Sequence, residues 1–518
     1  MQKLSRRVAR NSAFGLAAQV TIKLLSFAFS ILIVRNLGAQ AYGQYAAVLA
    51  FGALFISLSD LGLGTYAVRE VARYRSGPGA SERIGALYGS TLPLRFLLSL
   101  IAAALLVTSA WLTGRPPVMV GAIALGALGL IMYSVQGASD SVLAGFERLD
   151  LSAAAKVLYQ VVFVSVGALA LYLGTGYYGL IIANLLGIAL MTYACWRCVT
   201  QLGVRPKRTT VSDWPLLLRA SLPFGIIGLT LGFSYKFDSV LLNVFRGDAE
   251  TGYYNAAYNL VFSVAILSNI LNTSLYPSLA HEIAGSVQPL PGICGRMLRY
   301  LMALSLPIAI GTWVLADRIV PFLFTDGYLP TIQALQIVIW VTPLMFASEL
   351  LGYVVVVGDN ERRAARAIVV STAFSVGLNL MLVPRFGFLA AALTTVLTEA
   401  VLVGQYAWML RALLGQIAWQ KALLRPLAAA VAMGGLVFLL RDLPLPVSVA
   451  AGALAYGGLL LMLGVLGREE LRFARSLIPA RTIVAPAPEP AHHTQGEVQY
   501  QADQVWLAGT VEHRERPH

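Results

Sequence analysis

Long apolar runs, separated by short polar connections, repeat along most of this 518-residue chain. Each run has about 20 residues or more, the length of an α-helix that crosses the hydrocarbon core of a bilayer. Glycine, proline and charged residues concentrate in the connections, where helices end. The pattern predicts an all-α polytopic membrane protein with about 14 transmembrane helices. The predicted helices are 11–34, 42–66, 85–112, 117–142, 152–173, 177–197, 216–242, 252–279, 296–324, 331–357, 364–384, 387–411, 424–440 and 445–466.

The last part of the chain, 467–518, has a different pattern. Residues 468–477 are amphipathic, which is typical of a helix that lies on a membrane surface. From about Pro479 the chain is rich in proline, alanine, histidine and glutamine and has little apolar periodicity. We therefore expect 467–518 to be a cytoplasmic and largely disordered tail.

The charge of the chain indicates what kind of partner it binds. The chain is 58% hydrophobic and 12% charged, with a formal net charge of +13. In a soluble protein this excess of basic residues would indicate nucleic-acid binding. Here most basic residues lie in short loops between apolar runs, so membrane lipids are the expected partners and nucleic acid is not.

The basic residues also predict the topology. Lys and Arg are concentrated in alternate connections, starting with the N-terminal segment, and cytoplasmic loops carry such an excess. This alternation predicts a multi-pass protein of the cytoplasmic (inner) membrane with both termini in the cytoplasm.

Three short motifs recur at an offset of about 209 residues. Gly43-Gln44-Tyr45-Ala46-Ala47 recurs as Gly252-Tyr253-Tyr254-Asn255-Ala256-Ala257, Ser165-Val166-Gly167 as Ser375-Val376-Gly377, and Tyr178-Gly179 as Phe386-Gly387. An even number of helices in each repeat predicts two parallel six-helix bundles, 1–200 and 214–411, followed by two additional helices in 424–466. Transporters built in this way place the substrate site between the halves.

The same motifs resemble those of a known family. Val34-Arg35-Asn36-Leu37-Gly38, followed by Tyr42-Gly43 and Tyr45, is similar to the first-loop signature of polysaccharide-type flippases. Asp238, then the Gly252 motif, then Tyr276-Pro277-Ser278-Leu279-Ala280, resembles the second-half signature of these proteins. They belong to the multidrug/oligosaccharidyl-lipid/polysaccharide exporter superfamily, and the resemblance covers about residues 5–465.

The resemblance implies a transporter that moves a polyprenyl-diphosphate-linked oligosaccharide across the cytoplasmic membrane by alternating access. Its role would be the biosynthesis of a cell-surface polysaccharide, such as lipopolysaccharide or exopolysaccharide. The polysaccharide polymerase and export machinery would then be candidate partners.

Helix 11–34 carries the clearest candidate for substrate binding. Gln19, Lys23, Ser26 and Ser30 are spaced by three or four residues, which places them on one face of the helix. A cation in mid-membrane must face a cavity or a partner, and Lys23 suits a diphosphate as a point charge. The alternative is a structural ion pair with Asp60 or another acid.

Three further residues are candidates for the substrate site. Arg95 follows Pro93 in the third helix, and its guanidinium matches phosphate oxygens; it could instead reach the inner headgroups. In helix 216–242, Lys236 adjoins a polar stripe formed by Thr230, Ser234 and Asp238. This helix is the repeat mate of the first helix, so the two stripes are expected to face each other, although Asp238 could also be a loop-end residue.

Three acidic residues within helices are candidates for ion coupling. A transporter driven by an ion gradient needs an acid that takes up a cation in one state and releases it in another. Glu399, Glu349 and Asp140 fit this requirement, and Glu399, near mid-helix, is the first candidate for a proton or sodium ion. The alternative for each is a hydrogen bond between helices.

No motif for covalent chemistry is present: the sequence has no P-loop, no HExxH and no GxSxG. The isolated Cys195-x-x-Cys198 and His492-His493 are weak metal signals. We therefore expect neither an enzyme, nor a cofactor, nor a metal site.

A multidrug or cation antiporter of the same superfamily is an alternative, disfavoured by the predicted helix number and the cationic stripe. A membrane glycan polymerase is another, disfavoured because no predicted outer loop is large.

Overall fold

The computed structural model describes residues 2–207, 213–264, 268, 290–357 and 360–465, with the backbone alone for residues 2–20, 227, 231 and 234. The described part is helical and contains no strand, which confirms the all-α class. The predicted tail 467–518 lies outside the described residues. Residues up to Val465 form one compact unit.

Six helices form the first half of the chain. They are α1 (Gln2–Asp60), α2 (Leu63–Tyr74), α3 (Ala80–Leu112), α4 (Pro117–Gly145), α5 (Leu149–Tyr172) and α6 (Gly176–Gln201). In the second half, α7 (Trp214–Arg246) is followed by α8 (248–264), α9 (Leu290–Leu323), α10 (Thr331–Val338), α11 (Val341–Val357) and α12 (Glu361–Met409). The short α13 (Arg411–Leu414) then leads to α14 (Arg425–Leu439) and α15 (Leu445–Met462).

Among the described residues, ten helical segments are long and apolar enough to cross a membrane. Two of them, Thr21–Asp60 and Glu361–Met409, each overlap two of the predicted spans. Single glycines separate these spans: Gly38 (φ 73°, ψ 167°) breaks α1 and Gly387 (φ 61°, ψ −140°) breaks α12. Glycine adopts positive φ without the steric penalty of a side chain, so one residue replaces the short loop that the sequence pattern predicts.

The end of the second predicted span, 42–66, is wrong. The helix stops at Asp60, and Leu61 (φ 42°) and Gly62 (φ 79°) redirect the chain into α2. This helix is amphipathic and buries Leu63, Ala67, Glu70 and Val71, with a polar outer face. Because α2 has no long apolar run, a prediction based on run length assigns it to a loop, although its apolar residues have helical spacing.

Two close contacts between α1 and the start of α8 are related by the repeat offset. A Cβ atom on Gly43 would lie 1.7 Å from the carbonyl oxygen of Asp248, and one on Gly252 would lie 2.1 Å from that of Ala39. The same offset of about 209 residues relates Gly43 to Gly252 and Ala39 to Asp248. Each half therefore contributes a glycine that only fits because it lacks a side chain. These two reciprocal contacts support the predicted repeat. The boundaries of the two predicted bundles remain a prediction.

A second close contact joins α1 and α7 at the opposite end of these helices. A Cβ on Gly62 would lie 2.4 Å from the backbone nitrogen of Gly225 and from the carbonyl oxygen of Ser221. The chain between Gly43 and Gly62 is long enough, at about 1.5 Å per residue, to span most of a bilayer core. The part of α1 that follows Gly38 is thus in contact with the second half of the chain near both of its ends.

Candidate functional site

A cavity of about 300 Å³ lies between the two halves of the chain. We call it the central cavity; it lies between α1, α5, α7 and α8. Its polar lining consists of Lys23, Ser26, Ser30, Tyr42, Tyr45, Lys236, Asn255, Asn259 and Ser263, and its apolar lining includes Phe27, Phe29, Phe163 and Phe262.

The central cavity is cationic. Among the described residues that line it, Lys23 and Lys236 are basic and none is acidic. Asp60, the acid considered as a partner for Lys23, pairs with Arg95 instead. Within the described residues no acid pairs with Lys23. An anion that enters this space would meet two positive charges and several hydroxyl and amide groups.

The stripe predicted on the first helix is reproduced where side chains are described. Lys23, Ser26 and Ser30 all face the central cavity. Gln19 belongs to the same stripe, but its side chain lies outside the described part of the chain, as does that of Ser234.

Lys236 approaches the cavity from the other half. Its Nζ lies 4.9 Å from the centroid of the Tyr258 ring, a cation–π contact. Asn259, the next residue of α8, donates a hydrogen bond of 2.6 Å to the Tyr42 hydroxyl of α1 and so bridges the two halves. Asn255, Asn259 and Ser263 are spaced by four residues, a signal on α8 that sequence reasoning missed.

Arg95 lies elsewhere. Its side chain is buried, and its Nη2 is 2.5 Å from Oδ1 of Asp60. The guanidinium crosses Gly137 of α4, where a Cβ would lie 2.5 Å from Nη2. The same Oδ1 of Asp60 accepts a hydrogen bond from the backbone nitrogen of Gly64 at 3.1 Å. Arg95 therefore joins α3 to the turn between α1 and α2 and does not line the central cavity.

A second cavity, of about 460 Å³, lies within the second half between α7, α8, α11 and α12. We call it the acid cavity because Asp238, Glu349 and Glu399 all line it. Its lining also contains four tyrosines, Tyr235, Tyr258, Tyr353 and Tyr406, and the hydroxyl residues Ser348, Ser371, Ser375, Thr395 and Thr398. The structure thus brings together two residues proposed for ion coupling and one proposed for substrate binding.

Hydroxyl groups hold these carboxylates. Ser348 Oγ donates to Glu399 Oε1, and Ser268 Oγ donates to Glu349 Oε2 at 2.5 Å. The Tyr254 hydroxyl donates to Asp238 Oδ2. The buried Oγ1 of Thr398 has no hydrogen-bond partner among the described residues. Within the described chain, no group of three or more His, Cys, Asp or Glu side chains could hold a metal ion.

Asp140, the third residue proposed for ion coupling, is not part of the acid cavity. It lies on α4 and accepts a hydrogen bond of 2.5 Å from Ser152 Oγ. Lys156 Nζ of α5 lies 3.2 Å from its Oδ2. In this conformation Asp140 therefore belongs to an ion pair between two helices of the first half.

A thin aromatic wall separates the two cavities. The rings of Tyr258 and Phe262 are stacked, with centroids 3.9 Å apart. Phe262 lines both cavities, and Tyr258 lines the acid cavity while it carries Lys236 on its face.

Comparison with solved structures identifies the fold. A lipid II flippase MurJ in an inward closed conformation superposes with a TM-score of 0.73, covering 90% of this chain and 99% of that one at 15% identity. An inward-facing multidrug transporter of the MATE family covers 77% of this chain and 96% of that one, with a TM-score of 0.58 and 14% identity. The fold is that of transporters of the multidrug/oligosaccharidyl-lipid/polysaccharide exporter superfamily.

The chain belongs to the polysaccharide biosynthesis protein family, whose model matches residues 8–281. A probable low-salt glycan biosynthesis flippase of Haloferax volcanii is 23% identical over 398 residues, which cover 76% of this chain and 81% of that protein. A probable lipid II flippase MurJ of Rhizobium tropici is 24% identical over 208 residues, 38% of either chain. These findings confirm the resemblance to polysaccharide flippases, and the relatives are transport proteins, in agreement with the prediction that this chain is not an enzyme.

Proposed function

We propose that this protein is a flippase that moves a polyprenyl-diphosphate-linked oligosaccharide across the cytoplasmic membrane, with both termini in the cytoplasm, for the biosynthesis of a cell-surface polysaccharide. The observation that carries the proposal is the central cavity, which Lys23 and Lys236 line from the two halves without an acid among the described lining residues. The similarity to a flippase for glycan biosynthesis supports the same substrate class.

The chemistry of the cavity fits a diphosphate. A doubly charged headgroup loses its water shell when it enters a low-dielectric layer, at a cost that fixed positive charges and hydroxyl groups can offset. Lys23 and Lys236 would supply the charges, and Ser26, with Gln19 of the same stripe, would supply hydrogen bonds. The phenyl rings of the lining offer apolar surface to the parts of the substrate that carry no charge.

Alternating access would use two contacts between the halves. The Gly43–Asp248 contact joins α1 to the start of α8, and the Gly62–Gly225 contact joins the turn after α1 to α7. If the halves rock about the cavity, one contact opens while the other stays closed, and the substrate is exposed to one side at a time.

Glu399 and Glu349 would form the ion-coupling site. Both line the acid cavity, where hydroxyl groups and Asp238 provide further oxygen atoms. A proton or sodium ion bound here would lower the negative charge of the second half and so favour one arrangement of α7, α8, α11 and α12.

The test is substitution of the two cavity lysines. Lys23→Ala and Lys236→Ala should each reduce export of the lipid-linked glycan by at least tenfold while protein level and thermal unfolding stay unchanged, because each removes one of two charges that hold the headgroup. Lys421→Ala is the matched control, since Lys421 is exposed and remote from the cavity lining. Normal export by the Lys23→Ala/Lys236→Ala double variant at normal protein level would overturn the proposal.

A cation antiporter is the second candidate, and the acid cavity is the observation that favours it. Three carboxyl groups and four tyrosines line a space large enough for an organic cation. The two functions predict opposite ligands. Purified protein should bind farnesyl diphosphate, with loss of binding in Lys23→Ala, if it is a flippase, and ethidium, with loss of binding in Glu399→Gln, if it is an antiporter.

A further inference from the structure

Lys236 and Asp238 place opposite charges on opposite sides of one helix. Residues two apart on an α-helix project about 200° apart around its axis and are separated by only about 3 Å along it. Lys236 accordingly lines the central cavity, whereas Asp238 lines the acid cavity. A change of charge on one face of α7 therefore occurs within the same helical turn as the cation on the other face.

The wall between the two charges is one side chain thick. The ammonium group of Lys236 rests on the face of Tyr258, whose ring also lines the acid cavity. Within the described residues no acid forms an ion pair with Lys236. Because aromatic rings and the surrounding helices exclude water, the attraction between Lys236 and the carboxylates across the wall is screened much less than it would be at a surface.

Lys23 provides a contrast within the same cavity. It projects from α1 and, unlike Lys236, forms no cation–π contact with Tyr258. The two lysines can thus share the task of holding an anion while only one of them is exposed to the charge state of the acid cavity.

We propose that Lys236 couples the two cavities: ionised carboxylates draw its ammonium group onto the Tyr258 face, and cation uptake by the acid cavity releases it to the diphosphate in the central cavity. This inference rests on the proposed flippase function and adds the residue through which ion binding regulates substrate affinity. Because coupling between two ligands is reciprocal, the diphosphate in turn favours cation uptake.

The experiment is a double-mutant cycle on the purified full-length protein, with farnesyl diphosphate as the probe and its dissociation constant measured by calorimetry at constant ionic strength. Asp238→Asn imitates the neutralised acid cavity and keeps an oxygen that can accept the hydrogen bond from Tyr254. Glu399→Gln serves the same purpose if Asp238→Asn does not fold. Neutralisation should tighten probe binding on the order of tenfold, within the usual range of coupling between sites.

Three further variants identify the route of the coupling. In Lys236→Gln the tightening should fall below about twofold, and in Lys236→Arg it should be retained, since the charge is kept. In Lys23→Gln, the matched control, binding should be weaker overall but should still tighten on the order of tenfold when the acid cavity is neutralised.

The possible failures are distinguishable. An equal tightening in Lys236→Gln and in the wild type would mean that the carboxylates repel the anion directly, and the coupling role of Lys236 would be refuted. Probe binding that does not respond to neutralisation in the wild type would refute it as well. Absence of probe binding to the wild type would instead contradict the proposed function on which the inference rests.

Discussion

The two halves of the molecule use acidic residues inside the membrane in different ways. In the first half, Asp60 at the end of α1 and Asp140 in α4 are paired with cations: Asp60 with Arg95 at 2.5 Å and Asp140 with Lys156 at 3.2 Å. In the second half, Asp238 and Glu399 accept hydrogen bonds from hydroxyl groups and face a cavity of about 460 Å³.

This difference shows that a repeated backbone does not imply a repeated function. The glycines that join the halves obey the repeat offset, as the Gly43 and Gly252 contacts show, and Asp140 and Glu349 are related by it as well. Asp60, Asp238 and Glu399 have no acidic counterpart at this offset. A paired acid stabilises one arrangement of helices, whereas an acid held by neutral hydroxyls can still change its charge or bind a cation. We interpret the first half as the more rigid half and the second as the half that responds to ions.

Arg95→Ala should have the largest effect, a loss of stability. This change leaves Asp60, whose side chain is 31% exposed, without its buried partner. Removal of one member of a fully buried pair costs about 3 kcal/mol or more, and partial exposure of the acid reduces this to about 2 kcal/mol. Protein level and the unfolding temperature in detergent should both fall. The double variant Asp60→Asn/Arg95→Gln should recover most of the loss, because no uncompensated charge remains. Unchanged unfolding of Arg95→Ala would show that the pair does not stabilise the first half.

Glu399→Gln should have the opposite effect: stability should be kept and ion-driven transport should be lost. Its amide can still accept the hydrogen bond from Ser348, and loss of a buried charge removes a desolvation cost, so the unfolding temperature should not fall. Transport per folded molecule should drop on the order of tenfold and lose its dependence on the ion gradient, as expected for a residue that takes part in coupling. If Glu399→Gln has normal ion-driven transport but a lower unfolding temperature, Glu399 stabilises the fold, as Asp60 and Asp140 do, and does not couple transport to ions.

The smallest expected effect concerns the contact that both halves share. Gly43→Ala places a Cβ where the Asp248 carbonyl lies, so α1 and the α7–α8 connection must separate. A cysteine at Ser263, which lines the central cavity, should then react a few times faster with a maleimide that cannot cross the membrane and is applied from outside.

The control for this experiment is Gly52→Ala, since a Cβ at Gly52 meets nothing within 4 Å. Alanine is the better helix former by about 1 kcal/mol, so this variant should be at least as stable as the wild type and equally unreactive. Equal labelling of the Gly43 and Gly52 variants would show that the symmetric contact does not close the cavity. Faster labelling from the cytoplasmic side alone would reverse the predicted topology.

Much of the local structure follows from the chain itself. Apolar runs of membrane-spanning length predict the helices because backbone groups in lipid must form their hydrogen bonds internally. The helical spacing of Lys23, Ser26 and Ser30 places them on one face, which the structure turns towards the central cavity. Run length misses α2, since an amphipathic helix has no long apolar run, and it cannot reveal that Gly38 and Gly387 each replace a loop.

The sequence alone therefore determined the fold class, the spacing of polar faces along single helices and the repeat, because each depends on neighbours in the chain. Only the tertiary structure decided which charges meet. Asp60 is bound to Arg95 and not to Lys23, and Asp238, Glu349 and Glu399 share one cavity although they come from three helices. Helix periodicity sets the direction of a side chain relative to its own axis, but the packing of helices sets what stands opposite it. The same packing places an aromatic wall between Lys236 and the acid cavity, which no spacing in the sequence encodes.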